Sequence, residues 1–148
     1  MQPQQDGKLS GLSGEAPENQ TGLDRPVVLV VDDDPQILVT LTEVLENRYR
    51  VDVYSGGRDL LSRWSGQGDA VVLDIKMPHE DGISVFQEIR RKNPRIPILF
   101  YTAYPGDEAV MERARALDPA TFLGKGCSLE ELEAALWQAI QRDAGPKE

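Results

Sequence analysis

Short apolar runs rich in β-branched residues recur along this chain, each parted from the next by a stretch of helical period. Pro26–Val31 is a continuous run, as a strand covered on both faces requires; Ala70–Leu73 reads as a buried strand, Pro97–Tyr101 as a further strand and Thr121–Leu123 as a short last one. Val51-Asp52-Val53 alternates instead, which suits an exposed edge. Between them, apolar residues fall at helical spacing in five stretches: Ile37 to Leu45, Leu60 to Trp64, Ile83 to Ile89, Val110 to Leu117 and Leu129 to Ile140. Five strands alternating with five helices predict an α/β fold, a parallel sheet wrapped on both faces. Crossovers of one hand leave few topologies. With the alternating second strand and the short fifth strand at the edges, the expected order is 2-1-3-4-5, the flavodoxin-like doubly wound arrangement.

Local signals place several boundaries. Asp34-Pro35 is a helix cap followed by proline at the first helical position. Asn93-Pro94 ends the third helix. Ser128 with Glu131 is a capping-box pair ahead of the fifth. Residues 1–24 are rich in Gln, Gly, Ser, Pro and Glu and show no apolar period, so they are expected to be a disordered tail. The folded domain is expected over 25–142, with a frayed C-terminus over 143–148.

Charge and composition exclude several function classes. The chain of 148 residues carries 16 basic and 25 acidic residues, a net charge of −9, which counts against direct nucleic-acid binding. The single cysteine, Cys127, excludes an internal disulfide and a cysteine-based zinc site. No apolar run approaches the roughly 20 residues of a membrane helix, and no secretory leader precedes the first strand. A cytoplasmic protein without membrane insertion is expected.

In an open parallel sheet, ligands bind beyond the carboxyl ends of the strands. Here those ends carry Asp32-Asp33-Asp34, Asp74, Thr102-Ala103 and, after Gly124, Lys125. Carboxylates crowded into one crevice repel unless a cation joins them. Mg²⁺ suits such a set: a hard ion, oxygen ligands and open positions for water or phosphate. With an ammonium and a hydroxyl at hand, the set fits phosphoryl transfer onto a carboxylate.

VLVVDDDP, VVLDIKMPHEDG, PILFYTA and FLGKG, in that order, resemble the response-regulator receiver domain of two-component signalling over about residues 26–142. The resemblance implies that Asp74 is the phosphoacceptor and that Asp32, Asp33, Asp74 and the backbone carbonyl of Lys76 hold Mg²⁺. It implies that Thr102 and Lys125 bind the phosphoryl group and that Phe122 is the switch aromatic. The donor would be a sensor histidine kinase or a histidine phosphotransfer protein. Output would pass through the face made by the fourth helix, fifth strand and fifth helix, to a protein target, and the chain would be a signalling switch rather than a dedicated enzyme.

One departure from the family pattern stands at the site. Most receivers have proline after the site lysine, usually through a cis bond, and here the next residue is Gly126. Cis costs roughly 2.5–4 kcal/mol before a residue other than proline. The alternatives are a strained cis bond and a trans loop. Two other functions compete with the switch. One is a phosphorylation-independent binding module that kept the fold. The other is a haloacid-dehalogenase-type phosphatase with Asp32 and Asp34 as nucleophile and acid, which Gln36 and the lack of a late acidic pair disfavour.

Overall fold

The computed structural model describes residues 25–103 and 108–144. The expected tail over 1–24, residues 104–107 and residues 145–148 lie outside them. In chain order the elements are β1 (Val27–Val31), α1 (Pro35–Leu45), β2 (Arg50–Tyr54), α2 (Gly57–Arg63), β3 (Ala70–Leu73), β4 (Lys76–Met77), β5 (Glu80–Asp81), α3 (Gly82–Lys92), β6 (Ile98–Thr102), α4 (Glu108–Ala116), β7 (Thr121–Gly124) and α5 (Leu129–Ala144). Among the described residues one five-stranded parallel sheet runs β2-β1-β3-β6-β7. Counting only its own strands, this is the expected 2-1-3-4-5 order.

The register sorts side chains between two cores. Successive residues of a strand point to opposite faces. Leu29, Val31, Val71, Leu73, Ile98 and Phe100 therefore meet the side covered by α2, α3 and α4, together with Leu60, Phe86 and Ala114. Val28, Val30, Ala70, Val72, Leu99 and Tyr101 meet the other side, with Leu41 and Leu45 of α1 and Leu132 and Leu136 of α5. Both faces are dry, which is why these strands read as unbroken apolar runs. The edge strand β2 is less buried, which matches its alternation.

The caps form as their residues dictate. The Asp34 carboxylate accepts from the Gln36 N–H at 3.0 Å. Ser128 and Glu131 satisfy each other's backbone N–H groups, both at 3.0 Å. Asn93 ends α3 by accepting from the Arg95 and Ile96 amides while donating to the Gly66 carbonyl. Trp64 closes α2, buried, with its indole N–H donating to the Gln67 carbonyl. α4 sets Ala114 into the core it shares with α2 and α3, with Val110 and Leu117 packed against it, the face its periodicity predicts, and Met111 is buried as well.

One element lies outside the sequence expectation. Lys76–Met77 and Glu80–Asp81 pair as a small antiparallel hairpin between β3 and α3. Its turn carries Pro78 and then His79 at φ 65°, the backbone sign that a type II turn needs after proline. His79 is exposed on that turn, as a solvated loop histidine should be.

Phe100 stands at the centre of an aromatic column, its ring centroid 5.4 Å from Phe86 and 5.6 Å from Phe122. Phe100→Ala is expected to cost about 3–5 kcal/mol, the range for truncating a buried aromatic. Val39→Ala, at a side chain 53% exposed on α1, is expected to stay within about 0.5 kcal/mol of the wild type. Urea unfolding of both variants checks the pair; equal losses would contradict this assignment of core and surface.

Candidate functional site

Three strands of the sheet end at one edge, and the residues just beyond them meet there. Asp32 succeeds β1 and its amide donates to the Tyr54 carbonyl at the end of β2. Asp74 succeeds β3 and its amide donates to the Val31 carbonyl at 3.1 Å. The parallel ladder thus sets the two aspartates side by side. Lys125 succeeds β7, and its amide donates to the Thr102 carbonyl at 2.8 Å, which ties the lysine to the end of β6.

These attachments bring the charges together. The Lys125 ammonium lies 2.7 Å from Asp32 Oδ2 and 3.4 Å from Asp74 Oδ2. Both aspartates are buried, at 2% and 4% exposure, and Thr102 beside them is at 1%. The other oxygen of Asp32 accepts the Asp34 amide at 2.9 Å. Asp33 is exposed, yet carboxylate oxygens of Asp32, Asp33 and Asp74 all lie within 4.8 Å of one another. Asp34, Pro35, Lys76 and Ala103 complete the walls of an open cleft of about 420 Å³.

The question of the Lys125–Gly126 bond has a structural answer. No peptide bond is cis among the described residues, so this one is trans. Gly126 is exposed and a Cβ placed there would meet nothing within 4 Å. The turn closes through the Cys127 amide on the Gly124 carbonyl at 3.0 Å. Lys125 reaches the acidic pair from this trans turn.

The electrostatics result from burial. Desolvation, reinforced by the charge of Asp32, raises the Asp74 pKa to about 6, against the opposing pull of Lys125. Lys125 loses some basicity to its own burial, but its hydrogen bond to Asp32 and the charge of Asp74 more than reverse that, and its pKa rises. One ammonium therefore faces three carboxylates, leaving a formal charge of −2 in the cleft. That excess of charge, the all-oxygen donors and their spacing fit a divalent cation. Two oxygens on one Mg²⁺ lie at most about 4.2 Å apart at bond lengths near 2.1 Å, so small side-chain rotations suffice to close the set.

Of the remaining expected residues, Phe122 is half-buried, packed on Phe100 and faced by the Arg115 guanidinium 5.9 Å from its ring centroid. Lys76 opens β4, two residues past Asp74. Asp34 caps α1 and is exposed. Sequence reasoning passed over Glu80, whose carboxylate accepts the Gly57 and Arg58 amides, each at 2.6 Å, across from β5 to α2. The Gly56-Gly57 pair was its only trace in the sequence, and a glycine pair is equally the sign of a plain turn.

Comparison with known proteins agrees with this arrangement. Residues 28–137 match the family described as the response regulator receiver domain. The response regulator MprA of Mycolicibacterium vanbaalenii is 38% identical over 119 residues, which span 78% of this chain and 50% of that protein. The chain therefore spans about half the length of the curated relative it matches. Among solved structures, the non-phosphorylated HemR receiver domain of Leptospira biflexa is 31% identical, with a TM-score of 0.71 over 79% of this chain and 95% of that one. The BeF3-activated receiver domain of DrrB, a Thermotoga maritima protein, is 26% identical, with a TM-score of 0.73 over 80% of this chain and 99% of that one.

The Asp74 environment has a consequence for stability. A carboxyl raised from 3.8 to about 6 holds its proton more tightly folded than unfolded, so its contribution to stability falls as pH rises through that window. Asp74→Asn removes the buried charge. Without added metal it is expected to be more stable than the wild type by about 1–3 kcal/mol at pH 8, up to the equivalent of a two-unit shift. The gap should close as pH falls below 4. Denaturant titrations of both proteins across pH 4–8 check this, and a gap that ignores pH would refute the burial argument.

Proposed function

The chain belongs to the response regulator receiver family, and from that premise we propose that it is a phosphorylation-dependent signalling switch whose phosphoacceptor is Asp74. The observation that carries this reading is the buried Asp32–Lys125–Asp74 group with Asp33 at its mouth. A sensor histidine kinase or a histidine phosphotransfer protein presents a phosphohistidine at the cleft. An Asp74 carboxylate oxygen attacks phosphorus, a P–O bond forms, the P–N bond breaks, and the imidazole leaves with the bond's electron pair. Such a transfer needs mostly positioning and charge neutralisation.

The chain's own groups supply both. The carboxylates of Asp32, Asp33 and Asp74 and the backbone carbonyl of Lys76 are the residues that would hold Mg²⁺. When bound, that ion would neutralise charge on the phosphoryl oxygens. Lys125 already stands between the two buried aspartates, and a phosphoryl oxygen on Asp74 competes with Asp32 for its ammonium. Thr102, at the end of β6 and tied through its carbonyl to Lys125, offers its hydroxyl to another phosphoryl oxygen.

Output uses the same attachments. Movement of Thr102 opens room beside β7, and Phe122, packed on Phe100 in the resting arrangement, turns further inward. The equilibrium shifts at the face of α4, β7 and α5, where a downstream protein partner reads it. The reading favours protein contact over direct nucleic-acid contact, given the acidic balance of the chain. A cytoplasmic location accords with it, and among the described residues no helix is long and apolar enough to cross a membrane.

Intact mass after incubation with acetyl phosphate and Mg²⁺ tests the acceptor. One phosphoryl adduct is expected, lost in Asp74→Asn and with a chelator; an adduct that survives Asp74→Asn would place the acceptor elsewhere. A phosphorylation-independent module would show no adduct with any competent donor. Lys125→Ala should slow labelling about 10–100-fold, the equivalent of one charge-assisted hydrogen bond. Thr102→Ala should still label, yet leave the amide NMR shifts of α4, β7 and α5 near their unphosphorylated positions. Full shifts in that variant would remove Thr102 from the switch.

A further inference from the structure

Asp74 leads into a loop that returns on itself before α3 begins. At its base, the Gly82 amide donates to the Ile75 carbonyl at 2.8 Å. A Cβ at Gly82 would stand 2.4 Å from the Asp74 carbonyl oxygen and 2.6 Å from Ile75 Cα. The base is therefore closed as tightly as backbone allows, and only glycine fits it.

The far end of the loop has less to hold it. β4 and β5 are two residues each, paired Lys76 to Asp81 and Met77 to Glu80, and so short a ribbon is marginal by itself. Besides the buried Met77 side chain, what anchors it is the Glu80 carboxylate. Its Oε1 accepts the Gly57 amide and its Oε2 the Arg58 amide, both at 2.6 Å. These two N–H groups open α2 and have no partner within that helix. The approach also demands bare backbone on the other side. A Cβ at Gly56 would lie 2.6 Å from Glu80 Oε1, and one at Gly57 would lie 2.3 Å from Val85 Cγ2 on α3. The adjacent Asp81 is fixed as well, accepting the Ile83 amide at 3.0 Å and facing Arg113 of α4 at 3.5 Å.

We propose that Glu80 is a positioning residue for the metal-facing loop: by clamping the hairpin to two amides of α2, it sets the height at which the Lys76 backbone meets the cleft. The inference rests on the reading above, in which the Lys76 carbonyl joins Asp32, Asp33 and Asp74 around Mg²⁺. The chain of contacts is short. Glu80 pairs with Met77, Lys76 precedes Met77, and Asp74 lies two residues earlier. A carboxylate held by two donors, one on each oxygen, has one position, whereas glutamine keeps one acceptor oxygen and sets an N–H₂ donor against the other amide. Groups that orient metal ligands in this indirect way typically alter metal affinity 10–100-fold when removed.

The test uses the full chain with backbone ¹⁵N labelling, as wild type, Glu80→Ala and the isosteric Glu80→Gln, titrated with MgCl₂ well below the melting temperature. Before any Mg²⁺ is added, Glu80→Ala should shift the Lys76 and Met77 amides as well as those of Gly57 and Arg58. On titration the wild type should respond at Lys76 and, through the clamp, at Gly57 and Arg58. Glu80→Ala should bind Mg²⁺ about tenfold more weakly, with Gly57 and Arg58 silent. Glu80→Gln should fall between the two and guards against a variant that fails to fold. A wild type that responds to Mg²⁺ and is matched within twofold by both folded variants overturns the inference alone. A wild type silent toward Mg²⁺ at every amide overturns the metal reading and this inference with it.

Discussion

Two aspartates at the ends of neighbouring parallel strands share one ammonium, and the rest of the site is arranged around that deficit. Asp32 and Asp74 are forced together because β1 and β3 are adjacent and in register, with the Asp74 amide on the Val31 carbonyl. Burial makes their charge costly, and Lys125 offsets only part of it, which is why Asp74 titrates well above an ordinary carboxylate. A sheet edge that concentrates negative charge in this way is a poor resting place for anything but a cation, or for a group that brings a cation with it.

The lysine is also the mechanical link. Its amide bonds to the Thr102 carbonyl while its ammonium reaches across β3 to β1. The ammonium is thereby connected to the end of β6 and to β7. Phe122 lies on β7 against Phe100, which in turn stacks on Phe86 of α3. Charge at the strand ends and packing on one face of the sheet thus meet on the same strands, β6 and β7.

Much of this was legible in the sequence, for a physical reason. Strands buried on both faces must be apolar at every position, and Val27–Val31 or Ile98–Tyr101 announce themselves without any partner. The cleft was legible because parallel strands deliver their carboxyl ends to one edge, so Asp32, Asp74 and Lys125, just past β1, β3 and β7, line it together, with Thr102 closing β6. The caps at Asp34 and Ser128 are local and were equally plain. What stayed hidden was tertiary in origin. The hairpin of β4 and β5 has no apolar pattern: Met77 alone of its strand residues enters the core, and Glu80 bonds to a helix 22 and 23 residues earlier in the chain.

Gly126 shows how a departure from a family pattern can leave geometry intact. Proline at this position would lower the cost of a cis bond, whereas this turn is trans and held by hydrogen bonds. The Lys125 amide is held by Thr102, the Cys127 amide closes the turn on Gly124, and the capping box of Ser128 and Glu131 starts α5 at once. Three backbone constraints within four residues leave the loop little freedom, so the lysine is placed by its flanks rather than by the bond on its carboxyl side. Glycine at 126 lies in open space. The constraint in this turn is therefore hydrogen bonding, and the ammonium meets Asp32 and Asp74 from a trans peptide.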